Sequence, residues 1–168
     1  MTVVNRSYLL AAKPIVDMQG KKHTGPGGTS YGLGEAGYDI RIKQDIRFVP
    51  DDKYQMFVWT QKVGYLAPGR FALASAVEEF HMPADLMGIV HDKSTWARRG
   101  LSVFNTVIEP GWDGFLTLEL VYHGNTELVI PAGSGIAQVI FHDVEEKAWY
   151  RGKYNHQADE PVGAIDSE

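Results

Sequence analysis

From Gly37 onward, apolar and polar residues alternate with a period of two, in short runs separated by Pro- and Gly-containing turns. This pattern constrains the chain more than any other feature, because a period of two suits a pleated strand and not a helix. Residues 38–43, 55–60 and 70–76 read as strands, as do 86–91, 115–122, 127–130 and 136–142. Pro50-Asp51-Asp52, Pro68-Gly69, Pro83-Ala84-Asp85, Pro110-Gly111 and Pro131-Ala132-Gly133 supply the turns between them. Short strands at near-regular spacing with no long helical period predict an all-β barrel or sandwich. Helix is expected in only two places. Residues 5–17 form a helix capped by Asn5 or Ser7 and broken at Pro14, and residues 94–99 form a turn or two ended by Gly100.

The two ends of the chain read differently. Residues 20–37 are rich in Gly, Lys and Thr and are expected to be a flexible loop; GPGGTSYGLG lacks the Gly-Lys-Ser/Thr ending of a phosphate loop. Residues 150–168 are polar with little periodicity, so this tail is expected to lack fixed structure until something binds. With 168 residues, no repeat and no internal boundary, the chain is expected to be one domain. Its N-terminal helix and loop would span 1–35 and its tail 150–168.

Charge and composition exclude several functions. A net charge of −5 argues against broad binding to nucleic acid or to an acidic membrane, although clustered Lys and Arg can still hold a small anion. The absence of cysteine removes disulfides, thiolate nucleophiles and Cys-rich zinc sites. The apolar run at residues 8–12 is too short for a signal sequence or a membrane span, so a soluble cytoplasmic protein is expected. None of the six histidines belongs to a metal-ligand motif, and a metal site among them would need residues brought together by tertiary structure.

Residues 92–122, DKSTWARRGLSVFNTVIEPGWDGFLTLELVY, carry the densest set of chemically useful groups. Lys93-Ser94-Thr95 enters the short helix and is either a phosphate seat or a plain cap beside a solvated lysine. Ser94 and Arg98 share a helix face at i and i+4, which leaves Arg99 for the surface. Glu109-Pro110-Gly111-Trp112 reads as a tight turn with a packed aromatic, or as a carboxylate placed to accept a sugar hydroxyl. In the strand over 115–122, Glu119 shares a face with Phe115, Thr117 and Val121. It is either a solvent-facing carboxylate or one lining a cavity, where an unpaired charge is costly. The tail adds Tyr150, Arg151, Lys153, Tyr154 and Gln157.

Taken together, KSTWARRGL, VIEPGWDGFLTLEL and IPAGSGIAQVIF resemble the dCTP deaminase branch of the dCTP deaminase/dUTPase family. The resemblance runs upstream through PGRFALASAVEEFHMPADLMGIV and GYDIRIK and downstream through YRGKYNHQ, over roughly residues 36–157. It implies a distorted β-barrel, jelly-roll-like and of dUTPase type with short helices, assembled as a homotrimer with active sites at subunit interfaces. The implied ligand is a pyrimidine deoxynucleoside triphosphate (dCTP, with dUTP or dTTP as further nucleotides), and Mg2+ is held through its phosphates and not by protein ligands. By position, Glu119 would be the catalytic carboxylate with Ser94 and Arg98 beside it. Lys93, Ser94, Thr95 and Arg98 would meet the phosphates and reaction centre, and Glu109 the 3′-hydroxyl. Thr117 and Leu118 would read the base through their backbone, and Tyr150, Lys153 and Gln157 would close over the nucleotide.

The activity so implied is hydrolytic deamination of dCTP to dUTP and ammonia. Zinc deaminases make their hydroxide at a His/Cys metal site, which this cysteine-free sequence lacks, so a carboxylate of raised pKa would move the protons. The sequence departs from the family pattern in three places. Glu109 stands for Asp, Lys93 stands for Arg and loses a bidentate fork, and the segment from Arg98 to Glu109 is shorter. These departures keep two alternatives in view: a dUTPase or bifunctional enzyme releasing dUMP and pyrophosphate, and a non-catalytic nucleotide-binding trimer.

Overall fold

The protein is described from a computed structural model, which covers residues 2–104 and 106–166. Strands β1 (Val3–Val4), β2 (Lys22–Thr24), β3 (Ser30–Leu33) and β4 (Tyr38–Arg41) are followed by β5 (Ile46–Pro50), β6 (Met56–Thr60) and β7 (Leu66–Pro68). Next come β8 (Phe71–His81), β9 (Leu86–Asp92), β10 (Leu101–Val103) and β11 (Val107–Ile108), then β12 (Asp113–Tyr122), β13 (Leu128–Ile130) and β14 (Gly135–Asp143). Helix α1 (Arg6–Ala12) precedes β2, and the one-turn α2 (Ser94–Ala97) links β9 to β10. Among the described residues no helix is long and apolar enough to cross a membrane.

The strands form three sheets whose inward faces share one apolar core. One sheet runs β11-β9-β14-β4-β3-β2 with β1 on β14, a second runs β10-β12-β8, and a third runs β13-β5-β6-β7. Ile40, Phe48, Phe80, Leu118, Leu120 and Phe141 are fully buried where the sheets face one another. Burying one such side chain stabilises the fold by about 1.5–3 kcal/mol, so this layer is the main source of stability.

Every strand read from the alternating pattern is present, but some loops were misjudged. Residues 20–37 form a hairpin of β2 and β3, pinned where His23 stacks on Tyr31 at 5.5 Å and Arg41 lies over the Tyr31 ring at 4.5 Å. The expected flexible loop is therefore corrected; its glycines hid the His23–Tyr31 cross-strand pair. Strand β5 was also missed, although Ile46 and Phe48 alternate with Arg47 and Val49. Helix α1 ends at Ala12, with Lys13 in the left-handed region, before Pro14 is reached. Asn5 precedes it but makes no capping bond; its amide instead donates to the Glu35 carbonyl at 2.7 Å.

The pairing of β8 with β12 is irregular between Phe115 and Thr117. Phe115 faces Glu79 but Thr117 faces Ser75, so residues 76–78 of β8 bulge out of the ladder. The bulge breaks the alternation of β8, leaving Ala74, Ser75 and Ala76 all buried. Ala76 bridges to Ile42, and Glu78 turns inward onto Arg41. There its carboxylate accepts from the Arg41 backbone N–H and from Nε, both at 2.8 Å. Burial pushes the Glu78 carboxyl up, against the lowering effect of those two bonds. Removing Glu78 would strand the Arg41 guanidinium at this seam. Glu78→Ala is expected to cost about 1.5–3 kcal/mol, measured as a lower urea midpoint at unchanged slope.

Candidate active site

Most of the groups singled out in residues 92–122 divide between two separate clefts on one chain. The larger, of about 540 Å³, is built on β8 and β12. Its walls include Phe71, Leu73, Ile108, Trp112, Leu116, Thr117 and Glu119, with Glu109 at one side and Tyr150, Tyr154 and Gln157 at another. The smaller cleft holds Lys93, Ser94 and Thr95 with Lys22, Ser30 and Asp39. Among the described residues, none lines both clefts.

Strand register places the carboxylate. Glu119 stands directly opposite Leu73, and Thr117 opposite Ser75. Cross-strand partners on one face have Cβ atoms about 4.5–5.5 Å apart, so the Leu73 side chain is an immediate apolar neighbour of the Glu119 carboxyl. Burial pushes the Glu119 pKa up from its ordinary value of 4.5. On the other edge of β12, the Glu119 carbonyl accepts from Phe104 N–H at 2.8 Å, and Phe115 N–H donates to the Gln157 carbonyl at 3.1 Å. Backbone polar groups of a strand alternate between its edges, so those of Thr117, between these two residues, point to that same cleft-side edge. Leu118 points the other way. Its backbone faces Ala74 of β8 and its side chain is fully buried, so it does not line the cleft.

The turn preceding β12 has the form its sequence suggested. Trp112 N–H donates to the Glu109 carbonyl at 3.1 Å across Pro110 and Gly111, and Gly111 has φ 70°, as a type II turn requires. Trp112 packs edge-on to Phe80 at 6.1 Å, and the exposed Glu109 side chain is left at the cleft. Asn105, in the short segment before Glu109, lies outside the described residues.

The tail does not match the expectation of an unstructured segment; residues 150–162 lie along the barrel. Tyr150 N–H donates to the Pro110 carbonyl at 2.8 Å, and the Trp112 indole N–H to the Tyr154 carbonyl at 2.6 Å. Gln157 bridges to Gly114 in parallel. Its side-chain oxygen accepts from Thr117 Oγ1 at 3.1 Å, and Thr117 Oγ1 in turn accepts from Val162 N–H at 3.1 Å. A polar segment has no periodicity to reveal such docking, because its partners are a strand edge and an indole elsewhere in the chain. Lys153 does not itself line the cleft; its ammonium lies beside the ring of Tyr154, which does, and donates to the Ile165 carbonyl.

In the smaller cleft, α2 is anchored by Trp96, which is buried and donates Nε1–H to the Gly135 carbonyl at 2.7 Å. Ser94 and Thr95 are thereby turned outward. The Lys93 ammonium is already engaged, 2.7 Å from Asp39 Oδ2 and 3.0 Å from Ser30 Oγ. Asp39 is 2% exposed, so Lys93 balances a buried charge as well as facing the cleft. Arg98 is exposed and lines neither cleft, whereas Arg99 lies over Trp96 at 5.0 Å. Glu119, Ser94 and Arg98 are therefore not brought together within one chain. Sequence reading missed Leu73, Asp39, Ser30 and Lys22; the last three had no visible signal because their relation to Lys93 depends on how three strands pair.

Comparison with known proteins agrees with this architecture. The family model described as dCTP deaminase-like matches residues 16–144. The dCTP deaminase of Protochlamydia amoebophila is 34% identical over 161 residues, covering 86% of each chain. Among solved structures, 2′-deoxycytidine 5′-triphosphate deaminase from Agrobacterium tumefaciens superposes with a TM-score of 0.53 at 16% identity. It covers 83% of this chain and 46% of that one. EIAV dUTPase gives a TM-score of 0.50 at 19% identity, covering 73% of this chain and 88% of the other. The fold is thus the distorted β-barrel shared by these two proteins.

Two outcomes follow from the packing at the clefts. At Gly114, φ is 125° and an added Cβ would lie 2.5 Å from the Gln157 backbone nitrogen. Gly114→Ala is expected to lift the tail from residue 155 onward, seen as faster proteolysis there with the barrel still folded. Lys93→Met would leave the buried Asp39 with only Ser30 Oγ at 3.0 Å and the Lys22 ammonium at 4.0 Å, and is expected to cost about 1.5–3 kcal/mol, measured by denaturant unfolding.

Proposed function

The chain belongs to the dCTP deaminase-like family, and from that premise we propose that it deaminates dCTP to dUTP and ammonia. The observation that carries this reading is Glu119, a carboxyl pushed up by burial on the wall of a mainly apolar cleft. In the proposed reaction Glu119 takes a proton from water as the oxygen bonds to C4 of cytosine, and delivers that proton to N3. A second proton passes from the new C4 hydroxyl to the amine as the C4–N bond breaks and ammonia leaves. A carboxyl of raised pKa suits both halves, since it accepts and returns a proton with little loss. The apolar walls strip water from around the reacting groups. The cytosine ring would lie in the cleft beside Thr117 and Glu119, with Tyr150 and Gln157 closing from the tail.

The nucleotide would be completed by a second copy of the chain. Lys93, Ser94 and Thr95 occupy a cleft separate from that of Glu119, and Phe71 and Phe104 beside Glu119 are more than half exposed. A homotrimer in which one copy's α2 meets its neighbour's Glu119 cleft satisfies both facts, and in it Ser94 and Arg98 orient the water. Mg2+ would travel with the triphosphate. Asp39 is held by Lys93, and Asp92 Oδ1 accepts from Val103 N–H at 2.8 Å. That engagement fits a magnesium ion bound mainly through phosphate oxygens and water.

Glu109 supports a second reading. It lines the same cleft as Glu119, where it could direct water at the α-phosphorus of dUTP and release dUMP and pyrophosphate. Assaying ammonia and pyrophosphate together on dCTP and dUTP separates the two; ammonia from dCTP is expected, and inactivity towards every cytosine deoxynucleotide would overturn the proposal.

Glu119→Gln is expected to lower kcat by about 10²- to 10⁴-fold while nucleotide binding persists. The working form is the carboxylate, so activity falls as pH drops through the raised pKa, and the acid limb should lie above the ordinary glutamate value of 4.5. The same shift carries a stability sign. A folded pKa above the unfolded one favours the protonated fold, and this contribution is lost as pH rises through the folded pKa. Glu119→Gln should therefore be at least as stable as wild type at neutral pH. A shared site has its own signature: co-assembled Glu119→Gln and Ser94→Ala chains should recover activity that neither homomer has.

A further inference from the structure

Outside both clefts, the β8–β12 register gathers a set of metal-ligating side chains that the proposed reaction does not use. His81 stands directly opposite Asp113, and Glu79, two residues earlier on β8, shares the face of His81. His81 Nε2 is 3.1 Å from Glu79 Oε1 and 3.2 Å from Asp113 Oδ1. One oxygen or nitrogen from each of the three residues falls within 4.8 Å of the others. His156 Nδ1 from the tail lies 3.3 Å from the second oxygen, Asp113 Oδ2.

We propose that Glu79, His81 and Asp113 bind a divalent cation of the zinc type, with His156 holding Asp113, and that the ion fastens the tail to the barrel. Nitrogen and oxygen ligands about 2.0–2.2 Å from a tetrahedral ion sit about 3.3 Å from one another, close to the 3.1 and 3.2 Å that separate His81 Nε2 from the two carboxylates. A lone imidazole N–H can donate fully to only one of two flanking carboxylates, whereas one ion satisfies all three groups together. The mixed nitrogen and oxygen set selects zinc-type ions over magnesium, which prefers an all-oxygen octahedron.

The backbone beneath the cluster is fixed from both sides. Val16 N–H donates to the Glu79 carbonyl at 2.9 Å, and His81 N–H to the Pro14 carbonyl at 2.9 Å. Asp113 is tied to the tail, accepting from His156 N–H at 2.8 Å and donating its own N–H to Asn155 Oδ1 at 2.9 Å. The ligand face stays open to solvent, with side-chain exposures of 41%, 55% and 37% for Glu79, His81 and Asp113, so an ion can enter without unfolding. Gln157 follows His156 directly, so an ion at Asp113 steadies the segment that reaches Thr117.

The test is calorimetric titration of ZnCl2 into the untagged, metal-stripped full-length chain at neutral pH, with MgCl2 as the control. The expected result is one saturable zinc site per chain, undisturbed by excess magnesium. His81→Asn should abolish the site, and His156→Ala should weaken it about 10- to 100-fold. Zinc should also slow proteolysis after residue 155 in wild type but not in His81→Asn. An unchanged melting curve for His81→Asn without zinc shows that its loss of binding is local. No saturable zinc binding, equal binding in His81→Asn, or cleavage indifferent to zinc would each overturn the proposal, and none of these outcomes depends on deaminase activity.

Discussion

The pairing of β8 with β12 is the constraint on which the rest of the molecule depends. A strand register is a discrete choice, since a slip of one residue exchanges the faces of every side chain. Here it sets Leu73 against Glu119 and His81 against Asp113. The bulge at residues 76–78 lets one strand serve two sheets, pairing with β12 on either side while Glu78 crosses to Arg41. The ion pair of buried Glu78 with Arg41 is thus the point at which two sheets are locked, and the carboxylate of the large cleft and the His81 cluster lie on either side of it.

The second organising feature is the separation of cationic and carboxylate groups. Lys93 sits on a buried anion and Glu119 in an apolar wall, so each chain carries two half-built environments that do not meet. Within one chain this keeps a raised carboxyl away from a cation that would lower it again. In the proposed trimer the two environments face each other only after assembly, and the nucleotide joins them.

Much of the fold was legible because strand alternation is a local signal. The core strands could be placed from residues such as Ile40, Leu118, Leu120 and Phe141, each spaced from its neighbours by the pleat. Glu119 stood out for the same reason, as a charge on an otherwise mainly apolar strand. What stayed hidden was whatever depended on a partner far along the chain. Asp39 alternates with apolar neighbours like a surface residue, and its burial rests on partners from elsewhere in the chain, Lys93, Ser30 and Lys22. The β2–β3 hairpin was masked by glycines, and the tail by its polarity, although Gly114 and the Trp112 indole supply its docking surface. Leu118 shows the limit from the other side. Its neighbour Thr117 faces the cleft and it does not, a distinction that only the edge order of the sheet decides.

The tail is held in two different ways along its length. Up to Gln157 it is fastened by backbone bonds and the indole of Trp112, which ionic strength barely affects. Beyond that, Lys43 pairs with Asp159 and Lys62 with Glu160, and all four side chains are exposed. Such contacts weaken as the Debye length shortens, to about 8 Å in physiological salt. The distal part is therefore the electrolyte-sensitive half of a strap whose proximal half is fixed. Raising salt weakens these two surface pairs and leaves the Val162 N–H bond to Thr117 Oγ1 and the indole bond of Trp112 in place, so electrolyte loosens the strap between its fixed points without detaching it.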